Sequence, residues 1–209
     1  MDKKKLIIFD FDGTIADSFP VLLGVFNQLV EERGMARFSA EKIEEARNLS
    51  MREIIFQLKI SRWKLPFLAR KIQKEFAQRI SQVQPISGII PVLCVLKEAG
   101  YLLGVVSSTR KETLEQFMRN NQIDVFTFVH GEKNLFGKAK ILKKILKEYA
   151  ILPSQAVYVG DESRDIDAAK EAGVKSASVS WGFNSKKMLA KHQPDYLIDK
   201  PEELLAINL

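Results

Sequence analysis

Asp10 and Asp12 stand two residues apart at the exit of the apolar run Lys5-Leu6-Ile7-Ile8-Phe9, in the stretch Asp10-Phe11-Asp12-Gly13-Thr14. Strand spacing would put both carboxylates on one side and Phe9 and Phe11 on the other. Like charges that close repel, and burial adds a desolvation cost. A bound cation or a shared proton removes most of that cost, so the pair suggests metal-assisted or acid–base chemistry. A polar strand end running into an Asp-Gly turn is the alternative reading of the same residues.

Two further apolar runs end in polar clusters. Residues 102–106 are followed by Ser107-Ser108-Thr109, and residues 157–159 by Gly160-Asp161-Glu162-Ser163-Arg164-Asp165. In an open parallel sheet the carboxyl ends of the strands share one edge, where ligands bind. Three carboxylates with hydroxyls gathered there suit a hard cation with oxygen ligands, Mg²⁺ most naturally. Each cluster also has a simpler reading. Ser107 or Ser108 could cap the following helix, and Asp161, Glu162 and Asp165 could be first-turn acids favoured by a helix dipole. Lys138 opens a helix whose apolar stripe begins at Ile141, at the end where the dipole disfavours a cation. An anion or acidic group beside it would explain the placement, with Lys140 as the competing choice.

These residues need elements to position them. Short apolar runs at 6–11, 102–106, 126–129, 156–159, 176–179 and 196–198 alternate with amphipathic stretches. That alternation predicts an α/β fold, a parallel sheet covered by helices on both faces. Residues 141–149 and 166–172 carry helical stripes, the second stopped by Gly173 at a C-cap. The stretch 17–83 breaks the alternation: 19–33, 41–59 and 64–80 read as helices, with no convincing strand. It reads as an insertion after the first strand, and Pro85, Gly88 and Pro91 mark the return. The chain would cross near 15–18 and 81–87, and two crossings permit hinge motion.

Composition narrows the classes. With 209 residues, 46% hydrophobic and 28% charged, the chain can bury one sizeable core with room for a smaller second unit. The single Cys94 excludes an internal disulfide and, within the apolar stretch 92–96, reads as a core residue. Only two histidines, His130 and His192, are present, which nearly excludes histidine-cluster zinc chemistry. His130, following the run 126–129, reads as a loop or packing residue. The first apolar run is too short for a signal peptide, and no segment reaches membrane length. The expectation is a soluble, cytoplasmic protein without a membrane partner. The net charge of +6 reads as basic residues spread over several helices, with no aromatic-interleaved basic motif. Attraction of an anionic substrate is favoured over nucleic-acid binding.

In order, Asp10-Phe11-Asp12-Gly13-Thr14, Ser107, Lys138 and Gly160-Asp161-x-x-x-Asp165 resemble the four motifs of the haloacid dehalogenase superfamily of phosphotransferases. The resemblance spans nearly the whole chain and is similar to phosphoglycolate-phosphatase-like members with a helical cap. It implies a Rossmann-like doubly wound parallel sheet core (1–16 and 84–209) with an inserted all-helical cap (17–83). It implies a Mg²⁺-dependent phosphatase of a small phosphorylated metabolite, phosphoglycolate-like or a sugar phosphate. Asp10 would be the nucleophile, forming an aspartyl phosphate, and Asp12 the general acid and then base. Mg²⁺ would be held by the Asp10 and Asp161 carboxylates and the Asp12 main-chain carbonyl, with Asp165 supporting. Ser107, Ser108 and Lys138 would bind phosphoryl oxygens. Asp12 itself favours phosphate transfer over dehalogenation, because a halide leaves without protonation. Two departures stand out. Lys138-Ala139 replaces the frequent Lys-Pro, and Arg47-Asn48-Leu49-Ser50-Met51 lacks the glycine of a typical specificity loop. Arg47, Arg52 and Arg62 are candidates to reach substrate from the cap, with solvated helix faces as the alternative. A sugar phosphomutase and a catalytically silent binding protein of the same fold are the competing functions.

Overall fold

Leu6–Phe9 (β1) buries four consecutive apolar side chains, as a strand covered on both faces requires. The computed structural model describes residues 5–32, 34, 36–131 and 137–209, with the backbone alone for Arg62. Residues 1–4, weighed above as the start of a signal peptide, Phe136 before Lys138, and the Arg62 side chain lie outside the described part. After β1 the chain forms Ala16–Asp17 (β2) and the helices Phe19–Glu31 (α1), Ala40–Arg47 (α2), Met51–Gln57 (α3) and Leu65–Gln78 (α4), then returns through Gln84–Pro85 (β3). β2 and β3 pair antiparallel, Ala16 opposite Pro85 and Asp17 opposite Gln84, so the outward and return crossings run side by side.

The helix expected over 41–59 is two helices. Ser50 accepts the Glu53 amide, and the Glu53 carboxylate accepts the Ser50 amide, a capping box that starts α3 afresh. A reciprocal cap satisfies two otherwise unpaired amides, which outweighs the apolar spacing that runs through the break.

The remaining elements are Ile89–Glu98 (α5), Leu102–Ser107 (β4), Lys111–Asn120 (α6), Phe128–Gly131 (β5), Lys138–Glu148 (α7), Ala156–Gly160 (β6), Ser163–Ala172 (α8), Lys175–Val179 (β7), Lys186–Lys191 (α9) and Tyr196–Ile198 (β8). Among the described residues, six strands form one parallel sheet in the order β5-β4-β1-β6-β7-β8. Phe9 lies opposite Val105 on one side and Val159 on the other. The chain builds outward from β1 to β5, then starts again at β6 on the other side of β1. The crevice beyond β4, β1 and β6 is therefore the point where strand order reverses, the place such sheets bind ligands.

Strand alternation feeds two layers. Ile7, Phe9, Leu103, Val105, Val157 and Val159 pack with Leu93 of α5 and Phe117 of α6. Leu6, Ile8 and Tyr158 pack with Leu142 of α7 and Ala169 of α8. Phe76, Ile80 and Val83, read from sequence as part of the insert, belong to the first layer. Cys94 is half-buried rather than a core residue. The buried stripe of α5 runs Ile89-Val92-Leu93-Leu96, and Cys94 falls beside it. His130 lies within β5, not beyond it, with its ring 5.5 Å from that of Phe128. Among the described residues no helix is long and apolar enough to cross a membrane.

Candidate active site

β1 ends at Phe9, and Asp10 extends its line by donating its amide to the Val159 carbonyl at 2.8 Å. The buried Asp10 carboxylate accepts from the Phe11 amide (2.8 Å) and from Lys138 Nζ (2.5 Å). Lys138, the first residue of α7, is also buried, and its ammonium donates to Asp165 Oδ1 at 2.6 Å. The second Asp165 oxygen accepts the Glu162 amide at 3.0 Å. Asp165 is therefore a first-turn cap of α8 and the partner of a buried cation at once. Two carboxylates explain a lysine at the unfavourable end of a helix dipole. Lys140, the rival choice, is exposed. The Tyr158 ring lies under Lys138, its centroid 5.5 Å from Nζ.

Asp161 follows β6 and is buried. Its carboxylate accepts from the Thr14 hydroxyl (2.9 Å) and the Phe183 amide (2.7 Å). One carboxylate oxygen each from Asp10, Asp161 and Asp165 lie within 4.8 Å of one another. Burial, ahead of the Lys138 charge that opposes it, pushes the Asp10 carboxyl up to about 7. Burial, then the neighbouring carboxylates of Glu162, Asp165 and Asp10, hold Asp161 well above the usual carboxylate range. Three buried acids stand together with one ammonium, which pairs with Asp10 and Asp165 and not with Asp161, a surplus of negative charge that a hard divalent cation would neutralise. Backbone closes in on the same spot. Gly13 has φ 71°, and a Cβ there would sit 2.3 Å from Asp161 Oδ2; one at Gly182 would sit 2.2 Å from Asp161 Cβ. Only glycine permits both approaches. The residues present fit an oxygen-ligated metal.

The Asp12 carboxyl stands in different company. Its Oδ2 accepts from the Thr109 hydroxyl at 2.6 Å, and its buried Oδ1 has no hydrogen-bond partner among the described residues. Burial raises its pKa, and the Thr109 and Ser18 hydroxyls offset part of that rise.

Ser107 ends β4, buried, with its hydroxyl accepting the Thr109 amide at 3.0 Å. α6 starts at Lys111 with Arg110 as its N-cap, so neither Ser107 nor Ser108 caps it. The Ser108 carbonyl accepts from Gln73 of α4 at 2.9 Å. Asp10, Lys138, Asp161 and Asp165 thus form one cluster, while Asp12, Ser107 and Ser108 line the neighbouring strand end.

Sequence reasoning missed Thr14, Thr109 and the loop 180–185 after β7. Asn184 is buried in that loop; its Oδ1 accepts the Ser163 amide (2.8 Å), and its Nδ2 donates to the carbonyls of Arg47 and Leu49 (3.1 Å each). Arg47 in turn donates to the Gly182 carbonyl at 3.3 Å, and Arg52 is exposed on α3. The turn between α2 and α3 is therefore fastened to the loop by Asn184, by Arg47 and by Ser185, whose amide donates to the Arg47 carbonyl (2.9 Å) and whose hydroxyl donates to Asn48 Oδ1 (2.7 Å). Asn184→Ala takes the partner from the buried Ser163 amide and the Leu49 carbonyl, while the Arg47 carbonyl keeps the Ser185 amide. The expected loss is about 1–3 kcal/mol in urea unfolding, read as a lower midpoint at unchanged slope. A midpoint equal to that of the wild type would show that the fastening carries no weight.

Comparison with known proteins is consistent with this geometry. The family model of the haloacid dehalogenase-like hydrolases matches residues 7–179. A phosphoglycolate phosphatase of Synechococcus elongatus is 29% identical over 200 residues, covering 95% of this chain and 94% of that protein. The pyrophosphatase PpaX of Bacillus cereus is 23% identical over 206 residues, 96% of this chain and 94% of its own. A solved haloacid dehalogenase-like hydrolase of Streptococcus pneumoniae superposes with a TM-score of 0.82 at 27% identity, over 99% of each chain.

Proposed function

We propose that this chain, which belongs to the haloacid dehalogenase-like hydrolases, is a Mg²⁺-dependent phosphatase acting on a small phosphorylated metabolite, a phosphoglycolate-like acid or a sugar phosphate. The observation that carries the reading is the contrast between two carboxyls two residues apart. Asp10 lies against an ammonium, and Asp12 against a hydroxyl with one oxygen left over. Carboxyls in such unlike surroundings can divide nucleophilic and acid–base work.

The Asp10 and Asp161 carboxylates and the Asp12 carbonyl are the candidate ligands, with Asp165 supporting them through Lys138. Bound there, Mg²⁺ would neutralise charge on the phosphoryl group and favour the ionised form of Asp10. Asp10 attacks phosphorus, the bond to the leaving oxygen breaks, and the phosphoryl group passes to the Asp10 carboxylate. Asp12, whose pKa burial raises, gives its proton to that oxygen and then takes one from the water that cleaves the aspartyl phosphate. Thr109 fixes Oδ2 of Asp12, leaving Oδ1 to carry the proton. Lys138 and the Ser107 and Ser108 hydroxyls bind the equatorial oxygens. Residues 17–83 act as a cap that excludes water. The phosphoglycolate phosphatase and pyrophosphatase relatives support a phosphorus–oxygen bond as the target. The single cysteine supports a reducing, cytoplasmic setting.

Phosphate release from p-nitrophenyl phosphate and a panel of phosphorylated metabolites tests the reading. Release should require Mg²⁺ and stop with EDTA. Isomerisation of a hexose phosphate without release would make the protein a mutase, and no turnover on any substrate a silent binding protein. Thr109→Val should lower kcat by about 10–100-fold. The lost hydroxyl had stabilised the Asp12 carboxylate, so the variant's Asp12 pKa is higher and the alkaline limb of kcat moves to higher pH. An unmoved limb would give Thr109 a purely structural role.

A further inference from the structure

The net charge of this protein is not spread over its surface. Residues 51–79 contain eight Lys and Arg against two acids, Glu53 and Glu75, a surplus of six. The other 180 residues carry 24 of each sign, so this one segment accounts for the whole net charge of +6. It comprises α3, the single 3₁₀ turn Arg62–Lys64 and α4.

The same segment holds the exposed aromatics. Phe56, Trp63 and Phe67 are 83%, 68% and 67% exposed, and Leu58, two residues after Phe56 in the sequence, is exposed as well. Among the described residues the other exposed large apolar side chains, Val95, Leu152 and Leu205, are scattered singly. Along α4, Phe67, Lys71 and Lys74 recur at helical spacing on one stripe. Phe76, nine residues from Phe67 and so on the opposite face, is the buried anchor. Along α3 the exposed Arg52 and Phe56 share a face, with exposed Lys59 one further turn on. Lys64 Nζ stands 5.1 Å from the Trp63 ring centroid. Among the described residues, Lys59, Lys64, Arg70 and Lys74 have no carboxylate within ion-pair distance.

We infer that this segment docks on an anionic lipid surface, with Phe56, Trp63 and Phe67 entering the headgroup region and the flanking cations meeting lipid phosphates. Charge selects the occupant: a second copy of this face would oppose like with like, whereas an anionic bilayer complements it. Ring shape supports the choice. Rings two-thirds or more exposed stand clear of the helices rather than line the charged groove along which a nucleic-acid strand would run. Aromatic tips with lysine stems are the composition of helices that lie on membranes without crossing them. The inference replaces the expectation of no membrane partner, which rested on the absence of spanning segments, and the reading of basic residues as dispersed.

Co-sedimentation of the full chain with vesicles of phosphatidylcholine, alone or mixed with phosphatidylglycerol, tests it without reference to catalysis. Binding should be confined to the mixed vesicles and fall at least about tenfold from low to high salt. Trp63 emission should shift to the blue on binding, and Trp63→Phe should remove the shift while Trp181 remains. Trp63→Ser with Phe67→Ser, and separately Lys64→Glu with Lys74→Glu, should each weaken binding about tenfold or more with unchanged thermal unfolding. Equal binding to neutral vesicles, no binding to either, or wild-type binding by both double variants would overturn the proposal. So would tighter binding to single-stranded DNA than to the mixed vesicles at the same salt.

Discussion

Asp10→Asn should lower phosphate release at least about a thousandfold while the chain still folds. The amide keeps the size of the carboxyl, and its oxygen can still accept from Lys138, so the cluster loses a nucleophile with little change in shape. Asp10 is also a candidate metal ligand, and the two roles separate experimentally. If Asp10 served only to hold Mg²⁺, excess metal would restore turnover; if it attacks phosphorus, no concentration will. Rapid acid quenching with labelled acetyl phosphate should trap an aspartyl phosphate on the wild type and none on the variant. A variant with undiminished activity would remove Asp10 from the chemistry altogether.

Stability of the metal-free protein should fall as pH rises from about 4 to about 7. The Asp10 carboxyl moves from its ordinary 3.8 to about 7 on folding. Between those values the folded chain keeps a proton that the unfolded chain has lost, so unfolding becomes easier as pH climbs, and the Asp10 contribution levels off above. Asp161 and Asp12, also raised by burial, act in the same direction. The Asp10 shift alone is worth on the order of a few kcal/mol. Thermal melts in EDTA should show it, and Mg²⁺ should restore stability chiefly at the alkaline end, where the carboxylates are ionised. Lys138→Ala removes the one ammonium shared by Asp10 and Asp165, with an expected cost of about 3–5 kcal/mol near neutrality and much less at low pH. A flat or rising profile in EDTA would contradict the charge balance described for the cluster.

The apolar runs before Asp10, Ser107 and Asp161 were legible because strands covered on both faces must be apolar throughout. Lys138 was legible because a cation at a helix N-terminus needs a reason. The order of the strands was not: nothing in a single run says that β6 adjoins β1 or that β7 comes next. Without that order the loop 180–185 could not be placed over Asp161. Asn184 stayed silent because two of its partners, the carbonyls of Arg47 and Leu49, lie 137 and 135 residues away. The break between α2 and α3 could have been read from Ser50-x-x-Glu53, a local signal that the continuing apolar spacing masked. The seam between insert and core was blurred for another reason. Helical spacing shows that Phe76 and Ile80 are buried, but not against which partner.

The ribbon formed by β2 and β3 has an evolutionary consequence. Entry and exit of the insert are neighbours, fixed to each other by Ala16 opposite Pro85 and Asp17 opposite Gln84. Whatever lies between them can be lengthened, exchanged or rebuilt without shifting the register of a single sheet strand. New selectivity can therefore be acquired as a cassette. The segment from Phe76 to Val83 must stay behind, because it already belongs to the foundation on which any replacement would stand.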